Sequence, residues 1–319
     1  MALLDEHRQR TTAGERNARF ADDLRKQLTH RILPFFKSYP LRDIDYQVVS
    51  RFVDVMRKDG ASSSTIQRNL VSVRQVLKHA QKLSLIDSVP IFPVITTKDN
   101  PRPWFSDEEY RLLKSTARAV VRKSIVIKNE PLTKEVRDFI VFMVNTFLRP
   151  SDWYNLKRKH IRIQDRMQDT PFLVISPPSS KTINTAIISM PNAVPVYRHI
   201  IKRQDSKRQL GDDAFVFLPH IENRDRARDM MRRFFDYVVR EAKLKTALTG
   251  NDRTIYSLRH TAIAFRLLKG KDVDLLFLAR NCRTSVAMID RFYCRHLSAL
   301  MAPDKIVGMK EVFPRGKPS

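Results

Sequence analysis

Residues 256–262, Tyr256-Ser257-Leu258-Arg259-His260-Thr261-Ala262, set a tyrosine, an arginine and a histidine on the opening turns of a helix read over Ser257–Leu268. Three other segments of the same half carry residues of related chemistry. Thr146-Phe-Leu-Arg149-Pro-Ser-Asp152-Trp-Tyr-Asn-Leu156 ends an apolar helix in an arginine, with a carboxylate three residues on. Lys181-Thr182 lies between two β-rich runs, Phe172–Ser176 and Ala186–Met190, which read as a hairpin. Thr284 to Tyr293 is a short amphipathic stretch, helical over Ser285–Tyr293, that closes on tyrosine. Taken singly, each has an ordinary structural reading: a tyrosine ending a helix packs, an arginine after an apolar helix caps it, and a hairpin lysine is solvated. Their joint occurrence in one order gives them meaning.

The rest of the chain bounds that meaning. Its 319 residues exceed what a single core comfortably fills, which favours two domains. Lys and Arg number 59 against 34 Asp and Glu, a net +25 and a pI near 10.4. A field of that sign attracts polyanions, and points to nucleic acid. The seven glycines stand no closer than eight residues apart, so neither GxGxxG nor a P-loop can be written, and no bound nucleotide is expected. Cys282 and Cys294, twelve apart, form no zinc ribbon and no disulfide framework, which fits a reducing interior. Nothing resembles a signal peptide, and the most apolar stretch, Phe139–Val144, is far short of a membrane span. A cytoplasmic protein without membrane contact is expected.

Residues 1–95 read as a helical domain. Val48, Val49, Phe52, Val53 and Met56 recur at helical spacing over Ile44–Met56, Gly60 ends that helix, and Ser62–Ser64 offer caps for the next. Ile66, Leu70, Val73, Val76, Leu77 and Ala80 form the buried stripe of that second helix, with Arg68, Asn69, Arg74 and Lys78 on its other faces. Prolines at 90, 93, 101 and 103 mark the connection, with residues 96–103 as the linker proper. Ser106-Asp-Glu-Glu opens the second domain, 104–319, with a cap and an acidic first turn. Further helices are read near Arg224–Lys243 and Asp272–Leu278. Both parts are basic, +6 over residues 1–95 and +19 beyond, as suits a clamp closing on a polyanion.

Here the resemblance is specific. The chain resembles the tyrosine recombinases, the family of phage integrases and chromosome-dimer resolvases. Their boxes read roughly T-G-L-R-x-x-E-L, a hairpin lysine often followed by Thr, H-x-L-R-H-T, and L-G-H-S-S with a tyrosine nine residues after the histidine. This sequence offers Thr146-Phe-Leu-Arg149-Pro-Ser-Asp152, Lys181-Thr182, Tyr256-Ser-Leu-Arg259-His260-Thr261, and Thr284 nine residues before Tyr293. The likeness covers about residues 104–295, and the N-terminal helices look like the family's core-binding domain. It implies a mainly α fold with a small β-sheet: a helical clamp domain and an α+β catalytic domain. It also implies double-stranded DNA as partner, a homotetramer on two DNA sites, a prokaryotic source, and no metal or other cofactor.

The family chemistry explains the residue types. A tyrosine nucleophile, Tyr293 by resemblance, stores the phosphodiester energy as a 3′-phosphotyrosine. Arg149 and Arg259 match the guanidiniums that clamp the phosphate, and Lys181 matches the donor of a proton to the leaving 5′-oxygen. Asp152 is read as orienting a neighbouring basic group, and Arg68, Arg74 and Lys78 as DNA contacts. Two positions depart from the pattern. Tyr256 stands for the first histidine of its box, and its phenol, with a reference pKa of about 10, is a hydrogen-bond donor rather than a base. Thr284 stands for a histidine or tryptophan and holds no charge. His260 matches a histidine that usually packs structurally. A working but slow site is expected. Its first rival is a catalytically weak or inactive DNA-binding protein of the same fold. A type IB topoisomerase shares the chemistry but needs no defined site pair. A two-metal transposase would need gathered carboxylates, and the spacing of Asp43, Asp45, Asp212 and Asp213 suggests none. Residues 296–319, with Leu297, Leu300 and Met301, are read as a tail that packs on a neighbouring protomer.

Overall fold

The structure is a computed structural model that describes residues 2–13, 15, 18–96, 103–165, 170–178, 186–206, 209–270 and 273–293. The chain divides into two compact units, residues 1–100 and 101–319. The described part of the first unit is helical: α1 (Ala2–Thr12), α2 (Ala18–Gln27), a π-helical turn Leu28–Ile32, α3 (Leu33–Phe36), α4 (Tyr46–Lys58) and α5 (Ser63–Lys82). α4 starts two residues later than its periodicity suggests because Asp45 caps it, accepting the Val48 N–H at 2.9 Å. It stops where Gly60 takes φ +73°, a left-handed turn open to glycine without strain. Ser62 caps α5. The facing stripes of α4 and α5 are buried together with Phe36 and Phe92, each aliphatic side chain contributing about 1.5–3 kcal/mol.

Two members of the α5 reading change. Asn69 is buried, not outward; its amide nitrogen donates to the Thr65 carbonyl at 2.9 Å, while its Oδ1 is buried without a hydrogen-bond partner among the described residues. Val76 is only half-buried, at the margin of the stripe. Arg68, Arg74 and Lys78 are exposed, and the Arg74 guanidinium lies over the Phe92 ring at 4.4 Å.

The second unit begins at a full capping box, Ser106 with Glu109, ahead of α6 (Asp107–Arg122). A short antiparallel hairpin, β1 (Val126–Ile127) with β2 (Glu130–Pro131), leads to α7 (Glu135–Thr146). Every residue of α7 but Arg137 is buried, which explains its unbroken apolar run. Around it stand β3 (Ile161–Gln164), β4 (Phe172–Ile175) and β5 (Ile187–Ile188), then α8 (Ala193–Asp205), α9 (Arg224–Glu241), α10 (Ile255–Lys269), α11 (Leu275–Asn281) and α12 (Val286–Phe292). β3, β4 and β5 form one antiparallel sheet in that order, with Ile161 opposite Ile175 and Ile175 opposite Ile187. The hairpin read from sequence is β4–β5. β3 escaped notice because four residues of alternation are too few to count. α11 begins at 275 rather than 272 since Asp274 caps it. Edge-to-face contacts of Phe139 with Trp153 (5.0 Å) and Phe217 (5.2 Å) anchor the core. Among the described residues no helix is long and apolar enough to cross a membrane.

Arg253, 5% exposed, ties the approach to α10 back to the start of the unit. It forks onto Glu109 at 2.6 and 2.7 Å and donates to the Leu244 carbonyl at 3.0 Å. Arg253→Met takes from Glu109 its charged partner, leaving it the Ser106 N–H, and should cost about 2 kcal/mol in urea unfolding. The exposed pair Arg232–Asp229 is a contrasting case, and Arg232→Ala should stay within about 0.5 kcal/mol.

Candidate active site

The site is assembled at three helix termini. α7 ends at Thr146, and Phe147 reverses the chain with φ +57° while its ring is 3% exposed. A left-handed conformation costs a non-glycine residue roughly 1–2 kcal/mol, which burial of the phenyl ring offsets. Arg149 follows, half-buried. Its backbone N–H donates to Asp152 Oδ2 at 2.8 Å, and the Asp152 N–H returns to the Arg149 carbonyl at 2.9 Å.

α11 ends in the same manner. Arg283 takes φ +52°, its N–H bonds the Arg280 carbonyl, and the Thr284 N–H bonds the Ala279 carbonyl, both at 2.9 Å. This is a helix stop that usually selects glycine. The reversal launches α12 behind its Ser285 cap, and α12 delivers Tyr293 into the core, 8% exposed.

α10 supplies the third terminus. Thr254 caps it, and the next turns carry Tyr256, Arg259 and His260. Tyr256 and His260, one turn apart, have ring centroids 4.9 Å from each other, and His260 is 5.1 Å from Tyr293, so the imidazole lies between two phenols. Arg259, 3% exposed, donates through Nη1 to the Phe147 carbonyl and through Nη2 to the Cys282 carbonyl at 2.6 Å, and its charge acts on the Tyr293 phenol. Arg149 Nη2 donates to the Arg283 carbonyl, and Arg283 Nη2 pairs with Asp152 Oδ2. The carbonyl ends of α7 and α11 thus face cations, the favourable sense for a helix C-terminus.

Three guanidiniums therefore meet at these termini, two on backbone carbonyls and that of Arg283 on the Asp152 carboxylate. Burial drives the Tyr293 phenol well above its ordinary value, with Arg259 opposing in part, so it is protonated at neutral pH. Burial likewise pushes the Cys282 thiol up to about 11 against the pull of Arg259, Arg149 and Arg283. Burial lowers the Arg283 guanidinium, with Asp152 working to restore it. Arg149 and Arg259 spend their donors on neutral carbonyls. An anionic phosphate oxygen would make stronger, charge-assisted bonds to the same donors.

Of the residues singled out from sequence, Arg149, Arg259, Tyr256 and Tyr293 come together, with Thr284 directly after the Arg283 turn. Asp152 does orient a basic group, and that group is Arg283. Lys181 and residues 296–319 lie outside the described residues. Arg68, Arg74 and Lys78 belong to the first unit. Sequence reasoning missed Arg283, which occupies the glycine position of the L-G-H-S-S pattern; the mismatch itself was the available signal. It also missed a basic cavity of about 750 Å³ lined by Arg111, Lys114, Arg118, Arg137, Arg266 and Lys269. There burial, then repulsion from Arg137 and its neighbours, lowers the Lys114 ammonium. Among the described residues no three His, Cys, Asp or Glu gather as metal ligands, and Asp213 is taken by Lys157 (3.1 Å) and Lys159 (2.7 Å).

The fold is that of the tyrosine recombinases. A lambda integrase fragment solved as a dimer bound to a COC′ core site has a TM-score of 0.64, covering 93% of this chain and 97% of that one at 14% identity. The Tn1549 transposon integrase solved with circular intermediate DNA also has a TM-score of 0.64, covering 96% and 98% at 16% identity. No protein-family model and no curated protein sequence matches the chain.

Tyr293, Tyr110 and Tyr197 are all raised by burial, Tyr197 to about 12. The unfolded chain ionises these phenols near pH 10, so their contribution is intact below that value and lost as pH climbs toward the folded pKa values. The urea midpoint should fall steeply above pH 10, and less steeply in Tyr293→Phe.

Proposed function

We propose that this protein is a site-specific DNA recombinase of integrase type that cuts and rejoins strands through a 3′-phosphotyrosine, without metal or ATP. The observation that carries this reading is the gathering of Arg259, Arg149 and Tyr293 at the ends of α7, α11 and α12, with Arg259 on the Cys282 carbonyl, Arg149 on the Arg283 carbonyl, and the Tyr293 ring 5.1 Å from that of His260. In the cleavage step the Tyr293 oxygen bonds to phosphorus as the P–O5′ bond breaks. The phenol releases its proton to water and Lys181 returns one to the 5′-oxygen, so the step is proton-neutral. Arg149 and Arg259 exchange carbonyl partners for the non-bridging oxygens, where charge develops. Tyr256 donates a hydrogen bond to the phosphate, and Thr284 adds one more without charge, which makes the enzyme slow. His260 stacks between Tyr256 and Tyr293 and keeps the nucleophile against α10.

The likeness to integrases solved on DNA supports double-stranded DNA as the substrate, and the basic surfaces of both units support electrostatic binding. Exchange on two sites by a homotetramer, in a prokaryotic cytoplasm and in the service of a phage or other mobile element, completes the proposal. Tyr256 and Thr284 favour one alternative, a DNA-binding protein of this fold without turnover.

With nicked duplexes from the gene's flanking DNA, in EDTA, wild type should give a covalent band on a denaturing gel and Tyr293→Phe none. Specific binding with no band leaves the alternative. Removing phosphate contacts flattens the salt dependence of binding by roughly 0.9 per contact. The double variant Arg68→Ala/Lys78→Ala should therefore lower the slope of log K against log salt by about 2.

A further inference from the structure

The second left-handed stop carries a residue whose burden calls for an explanation. Arg283 adopts φ +52° and buries a guanidinium to 1% side-chain exposure, two unfavourable acts at one position. Its side chain meets Asp152, and its carbonyl meets the guanidinium of Arg149. Asp152 Oδ2, in turn, accepts the backbone N–H of Arg149 at 2.8 Å. The bonds close a loop that runs from the Arg149 main chain to Asp152, on to the Arg283 side chain, back through the Arg283 carbonyl, and out to the Arg149 guanidinium.

We infer that Arg283 is a positioning residue which, through Asp152 at one end and its own carbonyl at the other, fixes the Arg149 guanidinium in the phosphate-binding cluster. Arg149 alone is half-buried, on the chain just past a helix end, with several rotatable bonds and a large rotamer entropy to lose. A guanidinium held before the substrate arrives need not be ordered during the reaction. Glycine at 283 would make the same turn with no strain, yet could not hold Asp152. The side chain is thus explained by what it grips, and the strained backbone by where it aims the carbonyl. Arg283 is too deeply buried to reach a phosphate and acts through Arg149. The loop stands on geometry, while its effect on rate rests on the proposed cleavage reaction.

Two measurements on the full chain test it. The first reads the Arg149 side chain by ¹⁵N NMR, assigned by the loss of its signal in Arg149→Lys. Rotation about the Arg149 Nε–Cζ bond should be hindered in wild type and fast in Arg283→Gly. A freely rotating Arg149 guanidinium in wild type overturns the inference, and this arm needs no variant at 283 to fold. The second follows adduct formation on nicked duplex for wild type, Arg283→Gly and Asp152→Asn/Arg283→Gln. The last variant removes both charges together, so no lone buried carboxylate is left to unfold the protein. The maximal rate should fall at least tenfold in both, with the half-saturating DNA concentration within twofold of wild type. A folded variant at the wild-type rate overturns the inference and reduces Arg283 to a helix stop. Wild type that forms no adduct while showing a hindered Arg149 defeats the cleavage reading and leaves the loop standing.

Discussion

Arg259 carries its charge inside the protein, and much of the second unit is arranged so that it can. A buried guanidinium without partners would cost several kcal/mol, so it must be met by acceptors held in place. Those acceptors are the Phe147 carbonyl at the end of α7 and the Cys282 carbonyl at the end of α11. One side chain thereby joins two helix C-termini that lie 112 and 23 residues from Arg259 along the chain. The gathering of Arg259 and Arg149 at these carbonyl ends follows from that satisfaction of charge.

The two helix stops make this possible. A helix that ended by fraying would leave its last carbonyls pointing along its axis into water. Reversal through a left-handed residue turns the chain sharply and leaves carbonyls facing inward, where guanidiniums find them. Glycine is the usual residue for such a turn. Phe147 and Arg283 are not glycine, and each has a second use for its side chain. The phenyl ring of Phe147 enters the core beside α7, and Arg283 takes hold of Asp152.

Much of this was legible in the chain itself. The stripe of α4, the capping serines at 62 and 106, the apolar run of α7 and the β4–β5 hairpin follow from period and cap chemistry, which are local. The co-occurrence of Arg149, Arg259 and Tyr293 was legible through the order and spacing of their boxes. Asn69 was misread because a polar residue on a helix can give its amide N–H to its own backbone and turn inward, which no pattern of hydrophobicity reports. β3 was invisible because a strand of four residues is defined by its partners. Arg283 was marked only by its mismatch to the glycine of its box, and its role stayed hidden because its carboxylate partner lies 131 residues away.

What the sequence determined by itself is therefore the inventory and its order: a basic chain without glycine-rich phosphate loops, two helical regions, and a tyrosine at the right distance from its box. Those features depend on neighbours a few residues away. Only the tertiary structure decided which groups meet. It placed His260 between Tyr256 and Tyr293, gave Asp152 to Arg283 rather than to the side chain of Arg149, and buried the Tyr293 phenol so that it stays protonated. Each of these includes a contact between residues more than thirty positions apart, and burial and charge pairing act through space, not along the chain.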